Sequence, residues 1–122
     1  MANARILRRA RLTGREDFQR VFQSTFKLEN SCLKILARHN GRGYPRLGLA
    51  IPKKWVKSAG ARNRIKRLVR ESFRLNQHRL GDWDIVVLGR ASVDAKSNKE
   101  LCFILEKHWS KLVDRCASSS SC

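Results

Sequence analysis

Between Lys53 and Arg74 lie nine basic residues, Lys53, Lys54, Lys57, Arg62, Arg64, Lys66, Arg67, Arg70 and Arg74, against one acid, Glu71. Side chains of this kind break no bonds by themselves; they hold anions. With Ile65 at zero and about 100° per residue, Leu68, Val69 and Phe73 fall within about 80° of it, while Asn63, Lys66, Arg67, Arg70 and Arg74 fall between about 100° and 200°. One face is core and the opposite face is cationic. The ordinary reading of such a face is solvation. Here, however, the alternation with Glu that builds i, i+4 pairs is almost absent, and like charges at that spacing cost some tenths of a kcal/mol per pair without a counter-anion. Phosphate binding fits better. Arg predominates, and its planar fork holds a phosphate bidentately or stacks on an exposed base, which makes RNA a candidate target.

Groups that could carry bond-breaking chemistry are missing. The sequence has no Ser-His-Asp order, no acidic pair suited to a metal, and with 10 Asp plus Glu too few acids for two-metal phosphodiester chemistry. The four cysteines, Cys32, Cys102, Cys116 and Cys122, form no CxxC pair, and His39, His78 and His108 sit at no zinc-ligand spacing. Cys32 and Cys102 read as core fillers. The whole chain, 122 residues, carries 27 Lys plus Arg and a net charge of +17, which calls for a polyanionic partner. An apolar share of 42% is too high for a disordered basic tail, so one folded domain must present the charge. No run approaches the roughly 18 apolar residues of a membrane helix, and the N-terminus lacks a secretory pattern, so no membrane is expected and the location is cytoplasmic.

The elements that must position these residues follow from periodicity. Arg5, Arg8, Arg9 and Arg11 make residues 1–12 a flexible basic arm. Thr13 and Glu16 form a capping box opening a short helix with Phe18, Val21 and Phe22 on one face, ending near Ser24. Residues 32–38 and 46–51 read as strands joined by a turn-rich loop, His39 to Pro45, and are expected to pair as an antiparallel hairpin. Gly48 leaves room for close approach. A helix is expected over residues 61–75 and a strand over 84–88, whose apolar run implies burial on both faces. A second capping box, Ser97 to Glu100, opens a helix with Leu101, Ile104, Leu105, His108, Trp109 and Leu112 on one stripe, and residues 114–122 form a flexible tail. The expected class is α+β, one domain over residues 13–113, with helices packed on one face of a sheet.

The segment Arg62-Asn63-Arg64-Ile65-Lys66-Arg67-Leu68-Val69-Arg70-Glu71-Ser72-Phe73-Arg74 closely resembles the signature of the bacterial ribonuclease P protein family. The resemblance continues through Arg11-Leu12, Asp17-Phe18, Val21-Phe22, Arg46-Leu47-Gly48-Leu49 with Lys53-Lys54, Asp84-Ile85-Val86-Val87 and Arg90, covering roughly residues 10–113. It implies a roughly four-stranded sheet with about three helices and a left-handed βαβ crossover, a fold shared with a domain of a small-subunit ribosomal protein. It implies an endonuclease in which a catalytic RNA subunit, with its Mg2+, removes the 5′ leader of precursor tRNA while the protein assists. No metal held by the protein and no protein partner is implied.

By resemblance, Arg62, Asn63, Arg64, Lys66, Arg67 and Arg70 meet the catalytic RNA. Phe18, Phe22, Lys53, Lys54 and Arg90 line a groove for the single-stranded leader, where aromatic faces take unstacked bases and cations follow the backbone. Spacing alone would bury Phe18 and Phe22 in the core; the resemblance exposes at least one. Pro52 implies a strand end or edge, Leu36 replaces an aromatic found there in some relatives, Trp109 belongs to its helix's core stripe, and Trp55 and Trp83 stay unassigned. The competing reading is a ribosomal-protein-like structural RNA binder with no part in cleavage.

Overall fold

A computed structural model describes residues 15–23, 26–30 and 32–117. The basic arm, Thr13 of the first capping box and residues 118–122 lie outside the described residues. The chain forms helix α1 (Arg15–Phe22), strands β1 (Phe26–Glu29), β2 (Leu33–His39) and β3 (Arg46–Ala50), helix α2 (Ala59–Leu80), strand β4 (Trp83–Gly89), a 3₁₀ turn (Val93–Ala95) and helix α3 (Asn98–Ala117). The sheet is mixed, in the order β1-β2-β4-β3. The expected α+β single domain of four strands and three helices is what the chain builds.

The expected hairpin between the second and third strands does not form. β4 lies between them, antiparallel to β2 (Ile35 opposite Val87) and parallel to β3 (Leu47 opposite Ile85). The reason lies in the β4 sequence: Ile85, Val86 and Val87 are all fully buried, and an unbroken apolar run is best covered in the centre of a sheet. The loop from Asn40 to Pro45 therefore crosses one strand, and α2 carries the chain from β3 back to β4.

The same apolar run corrects the one-sided packing. Leu33, Ile35, Ala37, Leu47, Ile85 and Val87 face α2 and α3 in the main core, with Ile65, Val69, Phe73, Leu101, Leu105, Trp109 and Leu112. On the opposite face Val21 of α1 packs on Leu36 and Val86, with Leu88 beside them. Covering both faces requires a helix on each.

Two other boundaries differ from the pattern. Ser58 caps α2, its Oγ accepting from Ala61 N at 3.2 Å, so the helix starts at Ala59; it runs on to Leu80 and stops at Gly81, whose φ of 73° lies in the left-handed region that favours glycine. α3 extends to Ala117, which makes residues 114–117 helical rather than tail. β1 was too short to stand out by alternation; Phe26 and Leu28 pack toward the core while Lys27 and Glu29 are exposed.

Polar contacts fix how these layers meet. Arg46 donates from Nε to Asp84 Oδ1 at 2.8 Å and from Nη2 to Oδ2 at 2.7 Å, and Asn40 Nδ2 donates to the same Oδ1 at 2.8 Å. Arg46 and Asp84 are directly opposite in the parallel ladder and both are buried, so the pair pins the β3–β4 register. Between the helices, Trp109 Nε1 donates to Ser72 Oγ at 2.8 Å and Asn76 Nδ2 donates to Glu106 Oε2 at 2.7 Å. The Ser97–Glu100 capping box forms in both directions: Glu100 N donates to Ser97 Oγ at 3.1 Å and Ser97 N to Glu100 Oε1 at 2.9 Å.

Candidate nucleic-acid interface

The sequence from Arg62 to Arg70 divides its labour in the structure. Arg62 Nη1 donates to the carbonyls of Val56 and Lys57, both at 3.0 Å, and so grips the turn that enters α2. Arg64 reaches the other way: Nη1 donates to Asn98 Oδ1 at 2.5 Å, and Nη2 to the carbonyls of Asp94 and Lys96 at 3.4 and 3.3 Å. These two arginines tie α2 to its neighbouring loops. Asn63, Arg67 and Arg70 are exposed and Lys66 is half-buried, and none of the four side chains has a hydrogen bond or ion pair among the described residues. Their polar ends are the ones on this face without a described protein partner.

Beside them runs a cleft of about 550 Å³, lined by Gly60, Asn63, Arg64, Arg67, Leu68, Glu71 and Asn98. Its single acid is neutralised, since Glu71 pairs with Arg74, and that hydrogen bond holds the Glu71 carboxyl below its usual range. The cleft is therefore cationic despite Glu71.

A second group assembles at one end of the sheet. Lys53 and Lys54 follow β3 and Arg90 follows β4; because those strands are parallel, all three stand at the same end. Lys53 and Lys54 are exposed. Arg90 is engaged, Nη1 donating to Glu29 Oε2 at 2.7 Å, while Lys34 Nζ lies 4.0 Å from Glu29 Oε1. With Arg90 and Lys34 both about one carboxylate, this exposed pairing costs little to open. Phe22 is 47% exposed on α1, as the resemblance requires of at least one of the two aromatics. The side chain of Phe18 lies outside the described residues. On the α1 face the register places Gly48 and Ala50 of β3 beside Val86 and Leu88, so that strip has a floor of small side chains. Leu36 is 4% exposed beneath Val21 and offers no stacking surface.

The carboxylates near these surfaces are committed to cations: Glu29 to Arg90, Glu71 to Arg74 and Asp84 to Arg46. Such a donor set does not fit a magnesium ion held by protein ligands, which needs free carboxylates. No group of three or more His, Cys, Asp or Glu close enough to hold a metal occurs among the described residues. No described helix is long and apolar enough to cross a membrane.

Periodicity missed the buried Arg46–Asp84 pair, because in an alternating strand Arg46 reads as a solvent-facing residue. A lone acid at the head of a fully apolar strand, Asp84 between Trp83 and Ile85, was the available signal. Trp83 is buried and stacks against His39 and Phe26, with centroids 4.2 and 5.8 Å away, and Trp109 is buried as its stripe predicts.

Comparison with known proteins bears on the family and the fold. The family model described as Ribonuclease P matches residues 6–113. The chain is 47% identical to the ribonuclease P protein component of Pseudoalteromonas atlantica over 92% of this chain and 93% of that one. It is also 47% identical to that of Methylococcus capsulatus, covering 91% and 87%. Among solved structures, the Staphylococcus aureus RNase P protein superposes with a TM-score of 0.77 at 28% identity, covering 84% of this chain and 94% of that one. The Thermotoga maritima RNase P protein gives 0.69 at 34% identity, covering 85% and 96%. This chain belongs to the ribonuclease P protein family.

Proposed function

We propose that the chain is the protein subunit of ribonuclease P and works in the cytoplasm on two RNAs. It binds the catalytic RNA through Asn63, Lys66, Arg67 and Arg70, with Arg62 and Arg64 holding that face in place, and it receives the single-stranded 5′ leader of precursor tRNA beside Phe18, Phe22, Lys53, Lys54 and Arg90. Magnesium and the hydrolytic step belong to the RNA. The protein contributes cations where two polyanions must approach each other, together with a surface that favours substrate carrying a leader over mature product.

The observation that supports this reading most is that the cations stand on two different elements of one core, one set along α2 and the other at the end of the parallel β3–β4 pair. The α2 set has four side chains without a partner among the described residues, and the sheet-end set lies beyond the turn that precedes that helix. One extended RNA surface would not need the second set. Flanking cations without base-reading geometry also suit a substrate set with many different leaders.

The test uses the protein assembled with its catalytic RNA. Lys53→Ala should weaken precursor tRNA binding while mature tRNA binding stays as in the wild type. Equal losses for both substrates would remove the leader assignment of this end of the sheet.

A further inference from the structure

Next to Lys53 and Lys54 at the sheet end stands an exposed tryptophan, Trp55. Of the three tryptophans, Trp83 and Trp109 are 2% and 0% exposed, whereas Trp55 is 39% exposed. An exposed indole on a loosely held loop would mean little, but the backbone beneath this one is anchored three ways. The amides of Trp55 and Val56 both donate to the Pro52 carbonyl at 3.1 Å. The Val56 side chain is fully buried in the main core. Arg62 Nη1 clamps the Val56 and Lys57 carbonyls. The ring is thus presented by the fold, not left over from it.

Its surroundings indicate what it is presented to. Lys54 Nζ stands 4.9 Å from the ring centroid, over one face, with Lys53 and Lys57 next in sequence. From residue 30 to residue 70 the chain contains no Asp or Glu and 12 Lys plus Arg. An aromatic ring interleaved with cations, in a stretch of sequence without carboxylates, is the composition that binds single-stranded nucleic acid: the ring stacks a base and the cations take the adjoining phosphates. A cationic or apolar protein partner would gain nothing from that charge.

We propose that Trp55 is a stacking platform for an unpaired nucleobase of the leader, extending the sheet-end surface beyond Lys53 and Lys54. The inference rests on the leader reading above and adds a binding residue to it. Arg62 becomes a positioning residue for this platform, since it holds the turn that carries the ring.

The burial of the other two tryptophans makes the test direct, because Trp55 is the indole within reach of added RNA. The full-length protein is titrated with a short single-stranded oligoadenylate and, separately, with an RNA duplex of equal length, while tryptophan fluorescence is followed. Saturable quenching by the single strand, weak quenching by the duplex, and loss of the signal in Trp55→Leu are expected. Trp55→Leu should weaken oligoadenylate binding on the order of tenfold, and Trp55→Phe should restore most of it. In the assembled ribonucleoprotein, Trp55→Leu should weaken precursor tRNA binding and spare both mature tRNA and the affinity for the catalytic RNA. No quenching at saturation, or wild-type affinity in Trp55→Leu, overturns the platform. A loss of affinity for the catalytic RNA with unchanged precursor selectivity assigns the base to that RNA and overturns the leader as its source. Failure of the leader reading itself appears separately, as unchanged precursor selectivity in Lys53→Ala.

Discussion

Removing the Asp84 carboxylate tests how the sheet holds its cations in register. In Asp84→Ala the Arg46 guanidinium, 9% exposed, loses both of its short hydrogen bonds and its counter-charge, and Asn40 loses an acceptor. Breaking a buried pair by removing one partner costs about 3–5 kcal/mol. A domain of this size has roughly 6–18 kcal/mol of total stability, so the loss is a large fraction of it. At about 4 °C per kcal/mol, the midpoint of thermal unfolding should fall by roughly 12–20 °C. Replacing both partners, Arg46→Met with Asp84→Leu, should recover much of the loss, because no unpaired charge is then buried. The pH dependence has a definite sign. Burial raises the Asp84 carboxyl, but hydrogen bonds from Arg46 and Asn40 and the Arg46 charge outweigh it, so its folded pKa lies below the ordinary value. Its contribution is therefore present above the unfolded pKa of about 3.9 and is lost as pH falls through the folded value. Urea denaturation at neutral and acid pH reads both effects. A loss below about 1 kcal/mol, or a double variant no more stable than the single one, would refute the register lock.

Arg67→Ala should weaken assembly with the catalytic RNA and reduce the salt dependence of log K by about one phosphate's worth, roughly 0.7–0.9, measured by filter binding across salt concentrations. Arg62→Ala should instead lower the unfolding midpoint, seen by circular dichroism, because its guanidinium holds the Val56 and Lys57 carbonyls. Phe22→Ala, on an exposed ring, should leave the unfolding midpoint nearly unchanged while lowering the preference for precursor over mature tRNA in equilibrium binding. Ser97→Ala should destabilise the fold by about 1 kcal/mol in urea through loss of the α3 cap. The Glu100 carboxyl is held low by its hydrogen bonds from Ser97, so that stabilisation fades as pH falls through its folded pKa.

Legibility in the sequence followed the range of the interactions. The cationic face of α2, the core stripe of α3 and the Ser97 capping box are set by residues a few positions apart, and all were readable. The neighbour of each strand was not, because β2 and β3 carry no local mark saying that β4 will come between them. The apolar run Ile85-Val86-Val87 implied burial on both faces, yet packing α1 opposite α2 and α3 follows only once that strand is central. Arg46 shows the same limit: its partner lies 38 residues away, and alternation alone placed it in water. The inward turn of Arg62 and Arg64 likewise depends on the carbonyls of loops that only the fold brings to them. Site residues named through family resemblance were legible as a set, whereas the separation between those that position and those that stay free required side-chain contacts.

The help this protein gives a catalytic RNA in cleaving precursor tRNA is read from the rate of leader removal by the cognate catalytic RNA at low magnesium, with and without the purified chain. A higher rate in its presence, lost on chelation of magnesium, is the predicted result. Tight binding to the catalytic RNA with no change in cleavage would contradict the account and leave a structural RNA binder in its place.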